Sequence, residues 1–260
     1  MLRPFVLPAA VALPLIPAPV AAGAFLLGEG EGQTIVTSRF AGAAVDFDAS
    51  GKVKPLPSYR KFELTALAEY GVTRDLTMIL QSSIEVFRGH GVGDKRESGL
   101  GLSQAGARLR LADLGDATIS AQAVALLPGS ADLAAPDATQ RPGADVRLMA
   151  GKSFTAFGMS GFVSAEAGYR ALAGGLGEWR AEATLGLRPH AKWLALAQAY
   201  FASARRDAYG RSDIRRLKTD LSAVYRLTPR WSLQAGYGAT LYGRHSPREA
   251  GPFAAVWTRF

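Results

Sequence analysis

The chain has no cysteine, so a disulfide framework, a thiolate metal site and a cysteine nucleophile are all excluded. It has three histidines, His90, His190 and His245, which leaves little material for general-base chemistry or imidazole ligation. A long clean apolar run is also missing. Beyond residue 28 no stretch approaches the roughly 20 apolar residues that a spanning helix needs. Finally, positive charge is never gathered into a block. Lys and Arg total 30 against 22 Asp and Glu, a formal net charge of +8, yet they are scattered through nearly every segment, which argues against a nucleic-acid surface.

What is present begins with an N-terminal run, FVLPAAVALPLIPAPVAA over 5–22, preceded by Arg3 and followed by small residues. It predicts a cleaved signal peptide over 1–22, with cleavage after Ala22 or Ala24. Prolines interrupt the run and disfavour a helical anchor. The remaining 23–260 are expected to form a single domain.

From Gly32 onward, residues alternate in steps of two within segments of about ten, as in transmembrane strands. Trp231, Leu233, Ala235, Tyr237, Ala239 and Leu241 share one face, opposite Ser232, Gln234, Gly236, Gly238 and Thr240. The pattern predicts twelve strands, near 33–40, 59–72, 76–87, 100–111, 117–127, 145–156, 159–171, 178–188, 193–205, 215–227, 231–243 and 252–260. The expected fold is all-β: a closed, antiparallel, up-and-down transmembrane β-barrel. Turns are expected to alternate strictly between short periplasmic ones, such as Thr228-Pro229-Arg230, and longer outer connections at 41–58, 88–99, 128–144, 172–177, 206–214 and 244–251.

Aromatic residues fall at two levels on the outward parity. Tyr70, Trp193, Tyr225 and Trp231 lie beside short turns, and Phe62, Tyr169, Trp179 and Phe201 lie near the long connections. Eight residue steps, Phe62 to Tyr70, give roughly 26 Å of strand, and a tilt near 40° leaves about 20 Å of height. These are the expected aromatic girdles. Phe260, the final aromatic, is the expected insertion signal, although Thr258 stands where a hydrophobic residue would be expected.

The inward parity collects charge. Its acids are Glu63, Glu69, Glu85, Glu166, Glu182 and Asp220. Its bases are Arg108, Arg110, Arg147, Arg170, Arg180, Arg188, Arg216, Lys218 and Arg226. Charges at this depth require a wet lumen or pairing. One reading is a channel whose excess of positive charge favours anions; the other is cross-strand pairing that stiffens and fills the bore. The segment 23–31 could enter such an arginine-rich interior through Glu29 and Glu31.

Hydrolytic chemistry finds weak support. His190 sits in a short turn, and no spacing joins His90 or His245 to Ser83, Ser98 or Ser246 as a triad would require. Asp46 and Asp48 form only a two-carboxylate pair. The glycines of GHGVGD and GLGLSQAG lack a phosphate-loop arrangement. No enzyme activity, metal or cofactor is expected.

Three segments, GAFLLGEGEGQTIV (23–36), LAEYGVTRDLTM (67–78) and SGLGLSQAGARLRL (98–111), resemble a family of outer-membrane barrels named after the meta-cleavage pathway of phenol degradation. The second is similar to the family's Tyr-Gly-hydrophobic-Thr hairpin, echoed by VYRLTPRWSL at 224–233. The third departs from it, with Leu102-Ser103-Gln104 where the family carries an acidic residue. The resemblance implies a barrel in the bacterial outer membrane that passes small, often aromatic, compounds. The expected partners are outer-membrane lipid, lipopolysaccharide, the barrel-assembly machinery and a small-molecule solute. A structural or surface-interaction barrel with a plugged lumen is the alternative.

Overall fold

The structure is a computed structural model that describes residues 23–89, 95–130, 141–206 and 212–260. The expected signal peptide and His90 lie outside the described residues. The described chain forms strands β1 (Gly32–Phe47), β2 (Val53–Thr73), β3 (Leu76–Gly89), β4 (Lys95–Leu100), β5 (Ser103–Leu114), β6 (Ala117–Leu127) and β7 (Gly143–Ala156), followed by β8 (Met159–Leu172), β9 (Leu176–His190), β10 (Trp193–Arg206), β11 (Ser212–Arg226), β12 (Trp231–Arg244), the two-residue β13 (Ser246–Pro247) and β14 (Ala250–Arg259). Segments β4 and β5 pair in succession with β3, through Ile84↔Leu100 and Gln81↔Gln104, so they are one barrel strand broken at Gly101–Leu102. The one-residue offset between those registers is a bulge, and it turns Leu102 against the lumenal cluster of Val124, Leu126 and Leu172.

Twelve antiparallel barrel strands result. The wall closes because β1 pairs with β2 on one side and with β14 on the other. At the seam, Gly32 N donates to Phe260 O at 2.6 Å and Phe260 N donates to Gly32 O at 3.0 Å. Closure removes every sheet edge, the condition for strands in an apolar medium.

The period of two sorts the side chains. Leu80, Leu148, Leu221, Tyr237 and Leu241 stand exposed on the outer face, while Thr77, Ser120, Asp145 and Gln33 are buried inside. The girdle aromatics meet as cross-strand partners: Trp193 with Tyr225 (ring centroids 4.8 Å), Tyr169 with Trp179 (5.0 Å) and Phe62 with Phe40 (4.8 Å). Tyr70, Phe201, Trp231 and Phe260 are also exposed on this face.

The connections depart from expectation. Residues 41–58 are not a loop: β1 and β2 run on to a turn over 48–52, and Pro55 continues the strand opposite Val45. Asp48 organises that turn, accepting from Ser50 Oγ and Ser50 N (both 2.7 Å) and from Lys52 N (3.0 Å). The 172–177 connection shrinks to residues 173–175, shorter than the 227–230 turn at the opposite end, so turn lengths do not alternate strictly. At 227–230, Thr228 Oγ1 accepts from Arg230 N (3.2 Å) and Trp231 N (3.0 Å), a hydroxyl-mediated turn. Along β2 the extension is exposed on both faces over 53–58, Leu56 apart, so alternation fades there although the ladder persists.

Candidate functional site: the lumen

At the short-turn end, residues 23–31 enter the barrel as a strap. Gly30 N donates to Gly71 O and Gly71 N to Glu31 O, each at 2.9 Å. Leu27 N donates to Thr77 Oγ1 (3.3 Å), Arg108 Nη1 to Phe25 O (3.0 Å) and Ser120 Oγ to Ala24 O (2.9 Å). Buried Thr77 and Ser120 thereby find partners. Phe25 packs edge-on against Phe162 at 6.0 Å, in a cluster with Leu194, Leu196, Val224, Ala255 and Trp257. Glycine at 71 permits the approach, because a Cβ there would run into the Gly28 carbonyl. The expectation that Glu29 and Glu31 would enter the interior is corrected. Both are exposed, and the Glu31 carboxylate accepts from Gly28 N at 3.1 Å. Apolar Phe25 and Leu27 supply the buried contacts instead.

Above the strap lies a belt of paired charge. Asp145, 1% exposed in its side chain, receives Arg147 (2.7 Å), Arg170 (3.1 Å) and Arg180 (3.3 Å). Arg147 also reaches Glu166 (3.1 Å) and Glu182 (2.9 Å), and Glu178 faces Arg170, Arg180 and Arg216. On the opposite arc Arg108 bonds Glu69 (3.0 Å) and Gln122, while Gln33 donates to Glu69 at 3.3 Å. Arg39 grips Asp220 with both guanidinium nitrogens and lies 4.4 Å over the Phe253 ring, adding a cation–π contact.

A cavity of about 410 Å³ opens beside this belt, lined by Arg39, Lys61, Glu63, Leu102, Arg170, Arg180, Tyr200, Arg216, Lys218, Asp220 and Glu249. Lys61 reaches Glu63 (3.3 Å) and Glu85 (3.4 Å), and Lys218 reaches Glu249 (2.6 Å), which also accepts from the Tyr59 hydroxyl.

The charge balance expected from the sequence changes accordingly. Within belt and cavity, nine carboxylates (Glu63, Glu69, Glu85, Asp145, Glu166, Glu178, Glu182, Asp220, Glu249) face eight cations (Arg39, Lys61, Arg108, Arg147, Arg170, Arg180, Arg216, Lys218). Belt and cavity together are therefore close to neutral, and within them the positive excess stands at the cavity wall, where six cations face three carboxylates. Arg110 is not in this group: a register shift just after it accompanies its turn to the short-turn rim, where it holds Asp75 (3.3 Å) and Asp113 (2.6 Å). Arg188 and Arg226 lie half-buried at that same mouth. Asp145, Glu178, Arg39, Lys61 and Glu249 are lumenal groups that the sequence reading did not single out. Asp145 and Glu178 are the first residues of the predicted strands 145–156 and 178–188 and share parity with Arg147 and Arg180, two residues on, so the alternation already carried the signal for them.

Among the described residues the catalytic candidates do not converge. Ser83 Oγ donates to Glu85 at 3.4 Å, Ser246 pairs into β13 opposite Phe47, and His190 accepts from Lys192 N at 3.3 Å within its turn. Asp46 lies 3.8 Å from Lys54. Among the described residues no three His, Cys, Asp or Glu gather to hold a metal.

No family model and no curated protein matches the chain. Among solved structures, the chain is similar to an outer membrane channel from Pseudomonas putida F1, at 14% identity and a TM-score of 0.65, over 91% of this chain and 98% of that one. It is also similar to the NanC porin, at 8% identity and a TM-score of 0.52, over 85% of this chain and 98% of that one. At these identities the likeness concerns the fold: a closed twelve-stranded antiparallel barrel, shared with proteins of the outer membrane.

Proposed function

We propose that this chain is a passive outer-membrane channel for small solutes, shut in the present conformation by its own strap. The observation that carries this reading is a cation-rich cavity walled by charge, in a lumen crossed at its short-turn end by a strap held through apolar contacts and a few hydrogen bonds. A fully structural barrel has no need for an open chamber of about 410 Å³. Solutes with a negative group suit the cavity wall, where field lines from six cations converge. The resemblance of 67–78 and 98–111 to the meta-pathway barrels adds aromatic compounds to the candidate solutes, and Tyr200 and Leu102 supply an apolar surface for a ring.

The reading brings its surroundings with it: export by the N-terminal signal, residence among outer-membrane lipid and lipopolysaccharide, and insertion by the assembly machinery through the strand ending at Phe260. Its chemistry is transport, without catalysis. The second reading, a plugged structural barrel, draws on the strap and on the extensive ion pairing of the belt. Planar-bilayer recordings of the mature protein and of a variant lacking 23–31 separate the two. Conductance that rises on deletion supports the channel; a folded, heat-modifiable barrel that carries no current with or without the strap overturns it.

A further inference from the structure

Every arginine of the belt and cavity has a carboxylate within 4 Å, the longest pair being Arg216 to Glu178 at 3.9 Å. Three arginines at the short-turn mouth do not. Arg188 on β9, Arg226 on β11 and Arg259 on β14 take the inward parity of their strands, as their neighbours Glu182, Val224 and Trp257 show. All three are half-buried, and among the described residues none has a side-chain hydrogen bond or an ion pair. A single strand separates Arg188 from Arg226, because Leu187 pairs with Ala195 and Leu194 with Val224 across β10, and their like charges oppose one another. The register explains the convergence. Arg226 pairs with Ser232, and Ser232 with Trp257, so a small serine separates the Arg226 row from the end of β14.

Toward this arc the strap turns only apolar Phe25, packed with Leu194, Val224 and Trp257, and among the described residues no strap hydrogen bond reaches the three arginines. Its hydrogen bonds fall on β2, β3, β5 and β6, whereas the arginines belong to β9, β11 and β14. Glu31 is the strap carboxylate whose charge reaches Arg259, and it is exposed. Three like charges gathered over an apolar floor of Leu194, Val224 and Trp257 are unfavourable until a counter-ion joins them, because partial burial weakens solvent screening. Arginine's planar fork of donors suits a tetrahedral oxyanion.

We propose that Arg188, Arg226 and Arg259 form a second anion site, at the opposite mouth from the cavity, that takes a free multiply charged oxyanion of the phosphate class. Lumenal parity favours a free anion over a lipid headgroup. The site does not depend on conduction and would stand in a barrel that passes nothing.

The test uses the full barrel refolded in a neutral detergent, with the midpoint of its heat-modifiable transition as readout. Inorganic phosphate replaces chloride at equal ionic strength. The midpoint is expected to rise by about 3 °C, the scale of roughly 1 kcal/mol of ligand linkage in a domain of this size. The Arg188→Gln/Arg226→Gln variant should lose the response and, at low salt without phosphate, melt no lower than wild type. Arg230→Gln, in the exposed turn, should keep it. Should the double variant fail to refold, Arg259→Gln alone is to show a reduced response. Equal midpoints in phosphate and chloride, or an undiminished response in the arginine variants, overturn the site. Stabilisation by short-chain phosphatidylglycerol but not by phosphate overturns it in favour of a headgroup.

Discussion

At the short-turn end the lumen is filled by carbon: Phe25 lies against Phe162, Leu194 and Trp257. Halfway up it is filled by charge, with Asp145 enclosed by Arg147, Arg170 and Arg180. Both fillings exclude water, but they respond differently to disturbance. Burying one phenylalanine contributes about 2–3 kcal/mol, a quantity that an equilibrium between docked and undocked strap can cross. Leaving a buried charge without its partner costs about 3–5 kcal/mol, and here three arginines share a single acid. On the proposed reading the belt is the fixed part of the wall, and the strap is the part that would move.

Replacing Asp145 with asparagine attacks the fixed part and should have the largest effect. Three guanidinium groups would face one another with Glu166, Glu178 and Glu182 alone to offset them, and we expect a loss of about 3–5 kcal/mol, read from urea unfolding of the barrel in lipid vesicles. A loss below about 1 kcal/mol would erase the contrast with the strap. Next comes Phe25→Ala, which should undock the strap while leaving wall stability unchanged. Removing about 3 kcal/mol of packing shifts that equilibrium on the order of a hundredfold, visible as longer openings in single-channel records.

A smaller effect is expected at the cavity wall. Lys218→Gln removes a cation while Glu249 keeps the Tyr59 hydroxyl. Anion preference, measured as reversal potential in a salt gradient, should fall by about twofold, the scale of a few tenths of a kcal/mol for a partly screened charge. The smallest concerns the far rim. The Ser50 hydroxyl, followed by the amide of Lys52, holds the exposed Asp48 carboxyl below the usual carboxylate range. Its folded value is the depressed one, so its support of the turn is complete above the unfolded value and is lost as pH falls through the folded one. Protection of the Lys52 amide against hydrogen exchange should follow that course, with strap and belt unaffected.

What could be read in the sequence follows the range of the interaction. Strand period is a local property, so the alternation from Trp231 to Leu241 was legible. The pairing of Asp145 with Arg170 and Arg180 joins residues 25 and 35 positions apart and depends on register across three strands. The docking of Phe25 was illegible for a similar reason. Its pocket is assembled from β8, β10, β11 and β14, and no single segment advertises it. Glycine, proline and serine over 41–58 suggested a loop because turn-forming composition says nothing of an established ladder that carries the strands onward.

The strap also has a mechanical meaning. It begins against Ser120 and Phe162, crosses to Gly71 and runs directly into β1 at the seam with β14. A cylinder with a tie across it resists being squeezed into an oval, so undocking would soften the whole cross-section as well as clear the bore. The barrel that conducts would be more pliable than the barrel at rest.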